Sequence, residues 1–367
     1  MAMRCLKILL MSGYILFSSF SAYYADTLSQ SGKTPKDGFL TIGLTGDIML
    51  GRLVNEVITA EGYLYPWGNM IELLTSTDLN IVNLETTLTT STSRVEKTYN
   101  FKADPDKVQS LIAAGTDVCN IANNHILDFD VEGLFETMVT LENAGILYTG
   151  AGRNIYKARE PVVVTKNGLT IGIIGSTDNE PGWNAGKNRP GTFYVNVKKP
   201  EELLTEIRSL RPWVDILILT IHWGPNMRQK PARAFVRFAH SMIDAGVDIF
   251  HGHSAHVFQG IEVYKEKLIL YDTGDFVDDY RVTPPIRTDQ SFFYIVKADR
   301  NGIVSLNLVP VLISNMQVNL ATGAEYTQIV RRIKKLSEDF NTNIYEINGR
   351  LLVPVRKPAS VDFINRI

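Results

Sequence analysis

Cysteine is almost absent from this sequence, with only Cys5 and Cys119 among 367 residues. Cys5 falls in an N-terminal apolar segment and Cys119 in an apolar run, so no internal disulfide is expected. Cys119 reads as a small core residue rather than a nucleophile. Excess charge is lacking too: the formal net charge of −2 gives no general field that would gather DNA, RNA or anionic lipid, although it leaves room for a local basic patch. Nucleic acid is therefore not expected as a partner. There is no internal repeat and no low-complexity tract. Histidine is scarce as well, six in all, yet three of the six fall in "HGHSAH", residues 251–256.

A hydrophobic content of 45% over this length is enough to bury a full core, as one large domain or one domain with a small appendage. Residues 1–25, with Arg4 and Lys7 ahead of "ILLMSGYILFSSFSAYYA", read as a signal peptide or N-terminal anchor, and residues 26–38 as a polar linker. The chain is thus expected to be exported, and to work in the periplasm, outside the cell or anchored at the envelope. Beyond the linker, apolar runs such as "FLTIGLTG", "LNIVNLE", "DVCNIANN", "DILILTIHWG" and "VDIFHGHS" lack alternation, as strands covered on both faces do. Helix-period stretches separate them. "PDKVQSLIAAG", "EGLFETMVTLENAG" and "PARAFVRFAHSMIDAG" end at Gly115, Gly145 and Gly246, and the last carries Phe235, Phe238, Ala239 and Met242 on one stripe. A layered α/β architecture follows for residues 39–290. Hairpins are expected at Asn167-Gly168 and near Lys265-Glu266. Residues 291–367 change pattern, to strand, turn at Arg300-Asn301-Gly302, strand, charged helix over 326–340 and a hairpin at Asn348-Gly349, and read as a small α+β C-terminal extension.

The polar residues that interrupt the apolar strands fall at their carboxyl ends, where α/β sheets place ligands. Asp47, Glu85, the Asn124, His125 and Asp128 group, His222, and the trio His251, His253 and His256 come from separate strands and are expected along one edge of one sheet. Carboxylate, amide oxygen and imidazole together suit Mn²⁺, Fe²⁺ or Zn²⁺, one ion or two. Each residue has a plainer reading: Asp47 as a helix cap, His222 as a core histidine beside Trp223, Asn124 as a strand terminator. The plainer readings do not explain why all of them converge.

In this order the residues resemble the capsule-synthesis CapA family, also called the poly-γ-glutamate capsule or PGA_cap family, a branch of the calcineurin-like metallophosphoesterases. The resemblance runs from Leu40 to Asp279 through "GDIMLGR", "NLETTLT", "FKADP", "ANNHILD", "YTGAGRN", "HWGP", "AGVDIFHGHSAHVFQGIEVY" and "DTGDFV". It implies a four-layer α/β/β/α fold and a site for one or two divalent ions. Asp47 matches the first metal ligand, Glu85 the bridging acid, Asn124 the amide ligand, and His222, His253 and His256 the histidine ligands. His125 matches the acid or transition-state stabiliser, with Asp128 placed to orient it. Arg52 and Lys102, in matching motifs, read either as groups that neutralise an anionic substrate or as solvated surface residues. Two departures stand out: Met49 replaces the histidine that follows the first aspartate in phosphoesterases, and the closing pair is His-x-x-His. His251 and Asp275 are unusual, either of them a candidate second proton-transfer group, with a core role the plainer reading of His251.

Three functional readings remain open at this level. The resemblance implies an envelope protein that makes, exports or attaches poly-γ-glutamate or a related anionic polymer, within an envelope biosynthesis complex. The same residues suit a metal-dependent hydrolase of phosphoesters or amides outside the cytoplasm. They also suit a metal-assisted peptide epimerase, with two histidines exchanging an α-proton.

Overall fold

The computed structural model describes residues 38–347 and 349–356; the N-terminal segment read as a signal peptide or anchor, and Asn348 of the last expected hairpin, lie outside them. In chain order, strand β1 (Leu40–Ile48) leads into helix α1 (Leu53–Glu61), β2 (Leu79–Leu84), α2 (Val108–Ala113), β3 (Val118–Asn120), α3 (Asp130–Asn143) and β4 (Leu147–Thr149). The hairpin β5 (Val162–Lys166) and β6 (Leu169–Thr177) follows, then α4 (Glu201–Leu210), β7 (Ile216–His222), α5 (Arg233–Ala245) and β8 (Ile249–His253). A second hairpin, β9 (Ile261–Tyr264) and β10 (Lys267–Leu270), precedes β11 (Asp275–Val277), β12 (Gln290–Asp299), β13 (Gly302–Ser314), β14 (Gln317–Leu320), α6 (Gly323–Glu338), β15 (Tyr345–Ile347) and β16 (Arg350–Pro354).

These strands build two large sheets. The first runs β15-β16-β13-β12-β1-β2-β3-β4, with β11 beside β1 and β14 beside β13; the second runs β9-β10-β8-β7-β6-β5. Ile42, Leu44 and Ile81 of the first sheet bury against Ile171, Ile216 and Ile249 of the second, forming a dry central layer. The outer face of the first sheet, with Val82 and Cys119, is covered by Val54, Ile58, Leu111, Leu134 and Leu141 of α1, α2 and α3. Ile207, Leu210, Phe238 and Met242 of α4 and α5 cover the other sheet's outer face at Leu217, Leu219 and Phe250. The result is the expected four-layer α/β/β/α order, and it accounts for strands that are apolar on both faces. No helix among the described residues is long and apolar enough to cross a membrane.

Three expectations change in detail. The run "DVCNIANN" is a strand only through Asn120, because the amides of Asn120 and Asn123 donate to Ala122 O (3.0 Å) and Leu84 O (2.8 Å) and turn the chain out of the sheet. The residues read as a C-terminal extension continue the first sheet: β12 pairs antiparallel with β1 from Leu40↔Ala298 to Leu44↔Tyr294, and α6 adds Ile329, Ile333 and Leu336 to the central core. The polar strand ends come from both sheets rather than one, since β1, β2 and β3 belong to the first and β7 and β8 to the second. The carboxyl ends of the two sheets meet.

Candidate metal centre

Glycine makes the meeting point tight. A Cβ on Gly46 would lie 2.0 Å from the carbonyl oxygen of Gly274, so only glycine lets β1 and β11 approach there, with Asp47 N donating to Gly274 O at 2.8 Å. In the resulting parallel pairing Asp47 lies opposite Asp275 on one side and Asn83 of β2 on the other. From the second sheet, the parallel register of β7 and β8 sets His222 beside His253. The loop after β8 then turns through Ser254 (φ 114°) and His256 (φ 58°), a left-handed backbone at non-glycine residues that brings His256 back onto Asp47.

Asp47 Oδ1 lies 3.6 Å from both His222 Nδ1 and His253 Nδ1, which are themselves 3.1 Å apart. Asp47 Oδ2 lies 3.4 Å from His256 Nδ1, which is 2.8 Å from Asp275 Oδ1. Glu85 sits between the sheets, its Oε1 3.8 Å from His222 Nε2 and 3.6 Å from His125 Nε2. All of these side chains are buried. Both oxygens of Glu85, Oδ1 of Asn124 and Oδ2 of Asp275 are buried with no hydrogen-bond partner. Orphaned buried carboxylate oxygens are costly, and the three unsatisfied carboxylate oxygens of Glu85 and Asp275 beside converging imidazoles fit a divalent cation. The donor set, oxygen with imidazole nitrogen, suits a first-row divalent ion.

The electrostatics point the same way. Burial, reinforced by the charges of Asp47 and Asp275, pushes the Glu85 carboxyl well above its usual range. Burial likewise raises Asp275. For Asp47, burial is outweighed by the imidazoles of His222 and His256 beside it, which hold its carboxyl well down. Burial lowers His222 and His253, leaving neutral rings with lone pairs to offer. Burial also opposes charge on His256, yet Asp275 and Glu85 beside it hold that imidazole well above its usual value.

His125 stands over this cluster with its Nδ1 2.5 Å from Asp128 Oδ2. Asp128 also accepts from Phe101 N (2.7 Å) and Lys97 Nζ (3.0 Å), so it has no freedom to turn away. Burial takes His125 down to about 4, although Asp128 pulls the other way. The ring is stacked on Phe101, centroids 3.7 Å apart, and the Arg52 guanidinium covers the far face of that aromatic neighbourhood, 4.1 Å from the Phe101 centroid and paired with Asp279. Arg52 therefore lies one ring away from His125. Lys102 does not join it: its ammonium donates to Ser91 O at 3.0 Å and lies over Phe129. The cation that reaches the site is Lys97, bound to Asn124 O and Asp128 and lying 4.9 Å from the Trp183 ring centroid. Its segment, "SRVEKTYN", carries no motif, so only the folded chain reveals it.

His251 is spent elsewhere. Its Nε2 lies 2.8 Å from Thr45 O and its Nδ1 3.2 Å from Thr220 Oγ1, beneath the cluster, as a core histidine does. Asn83 interrupts the apolar run "LNIVNLE" inside β2, ahead of the strand end. Its amide donates to Asp47 Oδ1 at 2.7 Å and lies 3.1 Å from His222 Nδ1, while its oxygen accepts from Asn120 (2.9 Å) and Asn123 (3.3 Å). This ladder of amides is the floor that fixes Asp47 and His222.

Residues 41–280 match the family model described as bacterial capsule synthesis protein PGA_cap. A probable polyglutamine synthesis accessory protein of Mycobacterium tuberculosis is 32% identical over 362 residues, spanning 85% of this chain and 95% of that protein. The capsule biosynthesis protein CapA of Bacillus anthracis is 30% identical over 306 residues, 81% of this chain and 73% of that one. The PGA biosynthesis protein CapA of Bacillus subtilis is 30% identical over 283 residues, 76% and 73% of the two chains. Among solved structures, a 5'-nucleotidase precursor from Thermus thermophilus aligns with 82% of this chain and 59% of that one at 12% identity and a TM-score of 0.43, a likeness too loose to bear on chemistry.

Proposed function

The chain belongs to the bacterial capsule synthesis protein PGA_cap family, and from that premise we propose that it is a metal-dependent enzyme of the cell envelope, acting in the synthesis, export or attachment of an anionic polymer, poly-γ-glutamate or a close relative. The names of its Bacillus and mycobacterial relatives support the capsule-polymer half of this reading. The observation that carries the chemical half is the convergence of Asp47, His222, His253, His256 and Asp275, with Glu85 beside His222 and His125 and buried carboxylate oxygens left unsatisfied.

A divalent ion held there supplies Lewis acidity toward a phosphoryl or acyl oxygen and acidifies water. His125 handles the proton. With Nδ1–H donated to Asp128, its Nε2 faces Glu85 and the cluster, and a ring that is neutral at pH 7 accepts a proton there and returns it to a leaving group. Asp128, pinned by Phe101 N and Lys97, positions the ring and stabilises its charged form. Lys97 and Arg52, each partly open to solvent, offer positive charge to an anionic substrate above the buried cluster. The same pair of groups suits a second reading, hydrolysis of phosphoesters or amides outside the cytoplasm.

The test is complementation in the source organism after deletion of the gene, with polymer measured by amino-acid analysis. Wild type restores polymer, whereas Glu85→Ala and His125→Ala accumulate as protein but do not. Wild-type polymer from Glu85→Ala would overturn the proposal. Phosphoester or γ-glutamyl amide cleavage by the metal-loaded protein, lost in His125→Ala, with polymer unaffected by the deletion, would favour the hydrolase.

A further inference from the structure

Phosphoesterases place a histidine two residues after the first aspartate, and this chain has Met49 there, which on sequence grounds deprives one metal position of a ligand. The structure puts another donor near the same aspartate. Asp275 is the register partner of Asp47 in the β1–β11 pairing, and Gly46, whose Cβ would lie 2.0 Å from Gly274 O, lets the two backbones approach. Asp47, His256 and Asp275 each offer an atom to a cluster whose members all lie within 4.8 Å of one another, distinct from the cluster of Asp47 with His222 and His253.

The nitrogen of His256 that faces Asp47 Oδ2 (3.4 Å) is the same Nδ1 that faces Asp275 Oδ1 (2.8 Å). A carboxylate that merely oriented a ligating histidine would address the ring's other nitrogen. The second oxygen of Asp275 is buried without any donor, so a role as acceptor for His256 leaves half of the carboxylate unexplained. Both oxygens of Glu85 are in the same condition, and Asp275 is among the charges that act on Glu85.

We infer that Asp275 is a metal ligand, closing a second cation position with Asp47 and His256 in place of the histidine absent at residue 49. This rests on the metal-dependent reading above. The chain then holds two ions. The position built with Asp275 is rich in oxygen and suits Mn²⁺, whereas the His222–His253 position is rich in nitrogen and suits Zn²⁺ or Fe²⁺ as well.

The experiment titrates Mn²⁺ into the metal-free, folded protein, following bound ion by calorimetry and by the EPR signal of coupled Mn²⁺ pairs. Wild type is expected to take two ions per chain and to show the coupled signal. Asp275→Asn keeps one ion and loses the coupling, and its second affinity falls by more than the roughly 10- to 100-fold that loss of a ligand's hydrogen-bond partner causes. Asp278→Asn, which changes a buried acid outside the cluster, keeps two. A single ion per wild-type chain at saturation overturns the inference without recourse to any variant, as do two ions in Asp275→Asn at unchanged affinity. Wild type that binds no Mn²⁺, Fe²⁺ or Zn²⁺ at all defeats the metal-dependent reading itself, a different outcome from either.

Discussion

Glu85 gives the sharpest perturbation, because its charge is a burden unless a cation is present. Its backbone N–H donates to Ile48 O at 3.0 Å, which fixes the backbone that carries this buried side chain, and neither oxygen has a partner. Glu85→Gln keeps the shape and removes the charge, and the amide has ring nitrogens of His125 and His222 within 3.6 and 3.8 Å of the oxygen it replaces. Relief of a buried unsatisfied polar group is worth about 1–3 kcal/mol. For a chain of 367 residues, an unfolding entropy of about 2.1 cal/mol/K per residue turns that into a rise in Tm of about 1–4 °C in chelator. Metal at a hundredfold its Kd stabilises wild type by about 2.7 kcal/mol, or about 3–4 °C on the same scale. Thermal unfolding followed by circular dichroism, in EDTA and in Mn²⁺, should therefore show curves that cross: the variant more stable without metal, wild type gaining with it. A variant that unfolds below wild type in EDTA, or that gains as much from Mn²⁺, would refute the reasoning.

Two further outcomes follow from the scaffold. Hydrogen bonds from Arg356 hold the Asp299 carboxyl below its usual value and tie the end of the described chain to β12. A depressed carboxylate contributes stability above its unfolded pKa and loses it as pH falls through the folded value, so Asp299→Asn should lower stability by about 0.5–1 kcal/mol at pH 7 and by nothing near pH 2. Urea titrations at the two pH values check this, and an equal deficit at both would count against the pair. Cys119 is fully buried on β3 and burial pushes its thiol up, so Ellman's reagent should find no reactive thiol there in the native protein and one on unfolding; prompt native reaction would contradict the packing of the outer layer.

Much of this was legible in the sequence because buried parallel strands leave a plain trace. Runs such as "DILILTIHWG" have no alternation, and their polar breaks mark the carboxyl ends, so Asp47, Glu85, His222 and His253 were readable one by one. Asn167-Gly168 forms the β5–β6 turn with both residues at positive φ, as its dipeptide implies. Long-range pairing was not readable. Nothing local in "SFFYIVKAD" says that β12 inserts beside β1, which is why the C-terminal residues read as an appendage. Lys97 and Lys102 are equally basic in the sequence, and only the fold turns one toward Asp128 and the other toward Ser91. Asn83 looked like a strand residue because its role is to hold other side chains. Asp275 was visible as an oddity, but its pairing with Asp47 depends on the close approach of Gly46 to Gly274 O, more than two hundred residues along the chain.

The account stands or falls on whether this cluster holds metal. Elemental analysis of the purified protein, wild type beside His253→Ala and Glu85→Ala, tests that most directly. Transition ions bound to wild type and lost from both variants are the expected result. Three proteins equally free of metal after supplementation with Mn²⁺, Fe²⁺ and Zn²⁺ would contradict it.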